Sequence, residues 1–273
     1  MIPGIKKIVK VISIFALTVM MFSFVACGNG NGGGNPYFGT KAPTATKEVG
    51  DIVFSDGSAT PYTANLTLTD SQRNAAIALI FYKGTELNSG NDTTARTLGV
   101  GLKHGYFIWC SSAANAYNVN ITTIQCPASE SSGGYTFSGD KNGSDNLEQI
   151  EAFSGVDDTA TVSKYPAFYF GKNYKNQTGS HAAGTSYETG WYLPSIAELF
   201  QIYANGKGEN KVFDVDAAST LCGGDIFGSS YYWSSTQYAL YSNIAAYRFN
   251  FSNVACSSYG KDGISYVCAI REF

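Results

Sequence analysis

The spacing of apolar residues changes character several times along this chain, and each change predicts an element. Behind Lys6, Lys7 and Lys10, residues 11–26 are almost unbroken apolar sequence, which stops at the small residues Ala26, Cys27 and Gly28. A basic head, a short apolar run and a small-residue exit form the pattern of a secretory signal, which is removed and takes no part in the fold. The run of roughly 16 residues falls short of the ~20 that a spanning helix needs. Next comes GNGNGGGNPYFGTKAPTAT (28–46), too poor in apolar residues to fold alone. It reads, with its flanks, as a flexible leash over residues 27–47.

Beyond the leash the periods shorten. Residues 49–55 predict a strand closed by an Asp56-Gly57 turn. Thr69, Asp70 and Ser71 can cap a short helix over 72–76, and 77–82 (IALIFY) is a buried strand. A second strand-like run covers 98–109, with glycines at 99, 101 and 105. The Ser/Gly/Thr-rich stretch 118–143 predicts loops. Residues 145–153 have helical spacing, with Leu147, Ile150 and Phe153 on one face, and 165–174 is a short aromatic helix entered through Pro166. The strongest local signal is GWYLPSIAELFQIY (190–203). Ser195 with Glu198 three residues on is a capping box, in which each side chain satisfies an end-of-helix backbone N–H. Ile196, Leu199, Phe200 and Tyr203 then share one face, and Asn205-Gly206 ends the helix. Near the C-terminus, 231–236 and 247–251 alternate at period two, as half-buried strands do. Phe249 and Phe251 fall on one face, Arg248 and Asn250 on the other. Residues 257–263 carry turn chemistry, and 266–271 is a final strand.

Composition narrows the class. About 226 residues follow Lys47, enough for one domain. A net charge of −3 with only 14% charged residues leaves no basic footprint, so nucleic acid is excluded as a partner. Abundant Tyr, Ser, Asn and Gly match the palette of binding surfaces, where Tyr supplies rigid contact area. Of six cysteines, Cys27 apart, five remain: Cys110, Cys126, Cys222, Cys256 and Cys268. An odd number cannot all pair within one chain. With His104 and His181 as the only histidines and no Cys-x-x-Cys, no zinc site of the usual spacing is expected, nor any other cofactor. GVGLKHG (99–105) is one residue too long for a dinucleotide fingerprint. A Ser/His/Asp triad would have to recruit one of the two histidines, both amid loop-like residues. Asp214, Asp216 and Asp225 match no calcium loop and read as solvated acids.

Two resemblances add to this reading. FVAC (24–27) resembles a bacterial lipobox, with Phe rather than Leu three residues before the cysteine. That implies a signal peptide over 1–26, a lipid on Cys27, and an exported lipoprotein anchored to the bacterial envelope at the outer membrane and cell surface. GWYLPSIAEL (190–199), YWSST (232–236) and the run from FNFSN to YVCAIREF (249–273) resemble the C-type lectin fold in its formylglycine-generating-enzyme-like branch. Within it they are most similar to the variable proteins of diversity-generating retroelements, in their spirochaete lipoprotein kind. VGDIVFSDG (49–57), AAIALIFYKG (75–84) and YPAFYFGKNY (165–174) also look like segments of that family.

The resemblance implies an α+β domain over 48–273 whose region at about 231–273 binds a protein or glycan ligand, as a monomer and without catalysis. Trp233, Phe249, Phe251, Val267 and Ile270 would be its fixed floor. The surface rewritten by adenine-directed mutagenesis would comprise Ala239, Tyr241, Asn243, Ile244, Ala246, Tyr247, Arg248, Asn250, Val254, Cys256, Ser258, Tyr259, Gly260, Gly263 and Ile264. Rewriting the adenines of an Asn codon never yields Glu, Gln, Met, Trp or Lys; over 238–266 these types occur once, at Lys261. Cys256 is then either a product of rewriting or a buried structural thiol. The enzymes of the branch need a closely spaced cysteine pair, whereas Cys256 and Cys268 stand twelve apart. A non-diversified structural envelope lipoprotein and a formylglycine-generating-type enzyme are the alternatives.

Overall fold

The computed structural model describes residues 36–88, 92–131, 134–154, 163–241 and 243–273. The signal segment and Cys27 lie outside the described residues. The chain runs β1 (Asp51–Phe54), β2 (Ala59–Pro61), α1 (Asp70–Ala75), β3 (Ala76–Gly84), β4 (Arg96–Gly101), β5 (Gly105–Ile108), β6 (Ala128–Ser131), β7 (Gly134–Phe137), α2 (Gly143–Ser154), α3 (Pro166–Lys172), β8 (Trp191–Tyr192), α4 (Ile196–Gly206) and α5 (Val215–Leu221). The C-terminal part is β9 (Tyr231–Gln237), β10 (Ala245–Asn250), β11 (Ala255–Gly260), β12 (Ile264–Val267) and β13 (Ile270–Glu272). One sheet has the order β2-β1-β3-β4-β13-β8, a second the order β11-β10-β9-β12-β5, and β6-β7 form a separate hairpin. Most pairs are antiparallel, with β9 and β12 parallel. The class is α+β, as the sequence implies.

Period-two alternation does the sorting. Ile52 and Phe54 of β1 enter one buried cluster and Val53 the other, and Tyr232 and Trp233 of β9 divide the same way. Both sheets are therefore sandwiched. Helix α4 starts where expected: Ser195 Oγ accepts from Glu198 N (3.1 Å) and the Glu198 carboxylate accepts from Ser195 N (2.8 Å). Thr69 and Gln72 build the same reciprocal cap on α1.

Several expectations are corrected. The run 98–109 is two strands in two sheets: at Gly101 an added Cβ would overlap the Tyr174 ring, and the chain turns out of the first sheet at 102–104. Likewise 266–271 splits, because the chain crosses between sheets at Cys268 and Ala269. The loop expected over 118–143 contains the β6-β7 hairpin, registered Ala128 opposite Phe137. The turn expected over 257–263 is mostly strand β11, paired along its length with β10; small residues hide a strand whose partner supplies the apolar face. The acids read as solvated are structural. Asp214 caps α5, accepting from Ala217 N (3.0 Å), Asp216 accepts from Phe227 N (2.8 Å) and ion-pairs with Lys207, and Asp225 accepts from His104 N (2.9 Å). The folded part also begins earlier than the expected leash allows. Lys41 bridges Ala59 on the edge of β2, Gly39 N donates to Ser58 Oγ (2.8 Å), and Lys41 pairs with Asp51 (2.6 Å).

Candidate ligand-binding surface

The second sheet carries strands β9 to β12. Trp233, Phe249, Phe251 and Val267, on or beside it, are all buried, Phe249 and Phe251 in one cluster and Trp233 and Val267 in the other, while Ile270, also buried, lies on β13 of the first sheet. The Phe249 ring lies 5.0 Å from Phe251, 5.8 Å from Tyr203 and 6.1 Å from Phe200, centroid to centroid. Trp233 Nε1 donates to the carbonyls of Phe107 (3.1 Å) and Gly263 (3.3 Å), tying β9 to β5 and to the β11–β12 turn.

Of the residues singled out from the sequence, Tyr241 (60%), Ile244 (53%), Ile264 (52%) and Tyr259 (42%) are exposed, as are Asn243 and Ser258. Ala239, Arg248, Val254, Cys256, Gly260 and Gly263 are half-buried. Three are corrected, since they offer a ligand no surface. Ala246 belongs to a buried cluster. Tyr247 packs its ring on Tyr238 at 4.9 Å, and its hydroxyl accepts from Ala128 N (3.4 Å) of the β6-β7 hairpin. Asn250, expected to face outward with Arg248, is buried at the strand end, where its Oδ1 accepts from Ser252 N (2.8 Å) and Asn253 N (3.2 Å) to build the next turn. Asn250 is still paired with Ala255 and Tyr231, so the alternation holds, and it is buried because the face opposite Phe249 is covered as well.

Three features of the surface were not legible beforehand. Lys261, which stood out only as a residue type, is fully buried. Its ammonium donates to four main-chain carbonyls: Ala116 (2.7 Å), Val119 (3.2 Å), Tyr117 (3.4 Å) and Asn243 (3.4 Å). Burial lowers its pKa to about 8, and Cys110 opposes the shift. One side chain thus fastens the 116–119 loop and the loop at 243 to the β11–β12 turn. Arg248 is clamped between two rings, its guanidinium carbon 3.9 Å from the centroids of both Tyr231 and Tyr259, and its Nε donates to Ser257 Oγ (3.3 Å). Tyr106 of β5, far away in sequence, packs its ring against that of Tyr266 at 4.9 Å with the planes tilted by 54°, and both are exposed. Between these groups lies a recess of about 300 Å³ bordered by Tyr106, Tyr231, Arg248, Ile264 and Tyr266, with Ser229, Ser230 and Ser265.

The other candidate chemistry is dispersed. His104 is pressed between Phe227 (4.5 Å) and Tyr232 (5.2 Å), its Nδ1 hydrogen-bonded to Tyr232 Oη (2.8 Å), and burial lowers its pKa to about 4. His181 hydrogen-bonds the Ala76 carbonyl (3.0 Å). The five cysteines among the described residues are unpaired. Burial raises the thiols of Cys110, Cys126, Cys222 and Cys256 to about 12, and that of Cys268 upward as well. Among the described residues no group of three or more His, Cys, Asp or Glu could hold a metal ion, and no helix is long and apolar enough to cross a membrane. Glu198 does more than cap: its carboxylate also meets Arg96 (3.4 Å), Tyr192 Oη (3.1 Å) and Gly143 N (3.0 Å), and burial lifts its pKa to about 7. This network joins α4 to β4, β8 and α2 behind the floor, away from the recess.

No family model matches the chain, and no curated protein matches it. Among solved structures it is similar to a fimbrial protein from Bacteroides ovatus ATCC 8483, with a TM-score of 0.56 at 17% identity, over 83% of this chain and 49% of that one. The chain thus spans about half the length of that protein, with which it shares a fold.

Proposed function

We propose that this chain is a ligand-binding lipoprotein of C-type lectin type, held at the bacterial surface by lipid on Cys27, whose C-terminal face is diversified by a retroelement. One observation carries the reading. Of the twelve large apolar side chains exposed among the described residues, seven (Tyr106, Leu240, Tyr241, Ile244, Tyr259, Ile264 and Tyr266) lie on the second sheet or the loop between β9 and β10. Concentrated exposed apolar groups above a packed floor mark interaction surfaces. Tyr is suited to the task, offering area at little entropic cost.

Two details support diversification. Lys261, the one residue type in 238–266 that adenine rewriting of an Asn codon cannot produce, is the buried pillar and offers a ligand nothing. Val254 holds φ 55, a conformation in which a β-branched residue is an outlier, as expected where something other than folding sets the side chain. The fimbrial neighbour is a surface protein by its name, which agrees with display on a cell.

Sequencing this gene across sibling isolates tests the reading, together with a search of adjoining DNA for a reverse transcriptase and a near-copy of the 3′ coding segment. Substitutions should collect at exposed positions such as Tyr241, Ile244, Tyr259 and Ile264 and spare Trp233, Phe249, Phe251 and Lys261. Variation scattered evenly over floor and surface would leave a structural envelope lipoprotein instead.

A further inference from the structure

The recess beside Arg248 is built as a site. Both faces of its guanidinium are covered by Tyr231 and Tyr259 and its Nε is held by Ser257, so only the terminal N–H groups remain to donate. Among the described residues they have no carboxylate partner. A planar fork fixed by stacking has little entropy left to lose, and its matching acceptor is a carboxylate bound through two parallel hydrogen bonds. A second, independent observation points to an absent ligand. Ser265 is 2% exposed and borders the recess, yet its hydroxyl has no hydrogen-bond partner. Buried hydroxyls without partners are rare, because a stranded one loses its hydrogen bonds to water and gains none in return.

The rest of the lining selects among carboxylates. Ser229 and Ser230 also border the recess, as do Tyr106 and Tyr266, whose exposed rings lie 4.9 Å apart. Hydroxyls in number beside aromatic faces suit a molecule with many hydroxyls and one C–H face. A volume of about 300 Å³ accommodates a single ring and lies at the lower bound for small-molecule sites. We propose that this recess binds a sugar acid, a pyranose carrying a carboxylate, with the carboxylate on Arg248, ring hydroxyls on the serines and the C–H face on Tyr106 and Tyr266. The proposal rests on the ligand-binding reading above and names the chemistry of its ligand.

The test titrates the full-length protein in detergent with sodium glucuronate, glucose and the acidic peptide acetyl-Gly-Glu-Gly-amide. All are used at millimolar concentrations, where a one-ring ligand is measurable, and read by saturation-transfer NMR. Glucuronate should bind at least tenfold more tightly than glucose and weaken as salt is added. Arg248→Gln should abolish the preference for the acid. Arg248→Lys should not restore it, since an ammonium lacks the fork. Ser265→Ala should weaken glucuronate several-fold, with an unchanged thermal melt showing that each variant folds. Equal binding of glucose and glucuronate, glucuronate binding indifferent to Arg248→Gln, or no binding of any probe would overturn the proposal. Arg248-dependent binding of the peptide without glucuronate would also overturn it, in favour of an acidic polypeptide. Sequence variation among sibling isolates is read from DNA, so a negative titration leaves the diversified-surface reading to its own test.

Discussion

Replacing Phe249 by Ala is the sharpest probe of the division between floor and surface. The ring is wholly buried and touches Phe200, Tyr203 and Phe251. Removing it forfeits the transfer free energy of the ring and leaves a cavity between two layers that cannot collapse, because β10 is pinned by β9 and β11. Such Phe→Ala changes cost about 3–5 kcal/mol, a large share of the 5–15 kcal/mol that typically holds a domain together. Tyr259, one strand away and 42% exposed, is the control. Its ring contributes one face of the Arg248 clamp and a contact at 5.9 Å to Trp233, so Tyr259→Ala should cost about 1 kcal/mol. Urea denaturation followed by circular dichroism reads both. With a slope of about 2 kcal/mol per molar urea, Phe249→Ala lowers the midpoint by roughly 2 M and Tyr259→Ala by about 0.5 M. A Phe249→Ala midpoint no lower than that of Tyr259→Ala would refute a rigid floor beneath a tolerant surface.

Other outcomes follow from buried groups. Glu198 has its pKa raised to about 7 from 4.5, so the native state holds its proton more tightly. The resulting stabilisation, about 3 kcal/mol, is full below pH 4.5 and lost as pH rises through 7. His104, lowered to about 4 from 6.5, acts the other way: its contribution, roughly 2 kcal/mol for a partly exposed ring, is present above pH 6.5 and lost as pH falls through 4. Because the windows overlap with opposite signs, each is read as the difference between wild type and its own variant, Glu198→Gln or His104→Asn, in urea melts from pH 4 to 8. A difference that does not change with pH would contradict the burial of that group. Gly101→Ala drives a methyl into the Tyr174 ring and should destabilise by about 1–3 kcal/mol in the same melts. Of the five cysteines among the described residues, Cys256, the half-buried one, should be the first to react with a disulfide reagent in native protein at pH 8, and slowly, because the thiols are buried and their pKa values raised, whereas urea should release all five.

Local rules were enough wherever a short stretch satisfies itself. The cap on α4 needs only Ser195 and Glu198, and the burial of Phe249 and Phe251 follows from period two, so both were legible from neighbouring residues. The α+β class and the position of the floor followed from the same alternation. What the sequence could not show depends on partners distant along the chain. Strand β11 exists because β10 lies beside it, and Lys261 is a pillar because carbonyls from 116–119 and 243 converge on it. Asn250 and Tyr247 are inside because a turn and a hairpin close over them, and the recess forms only when Tyr106 arrives from β5 to meet Tyr266. Periodicity reports which face of a strand is apolar. It carries no information about what the fold later lays across that face, because contacts between remote segments are fixed by the packing of the whole domain.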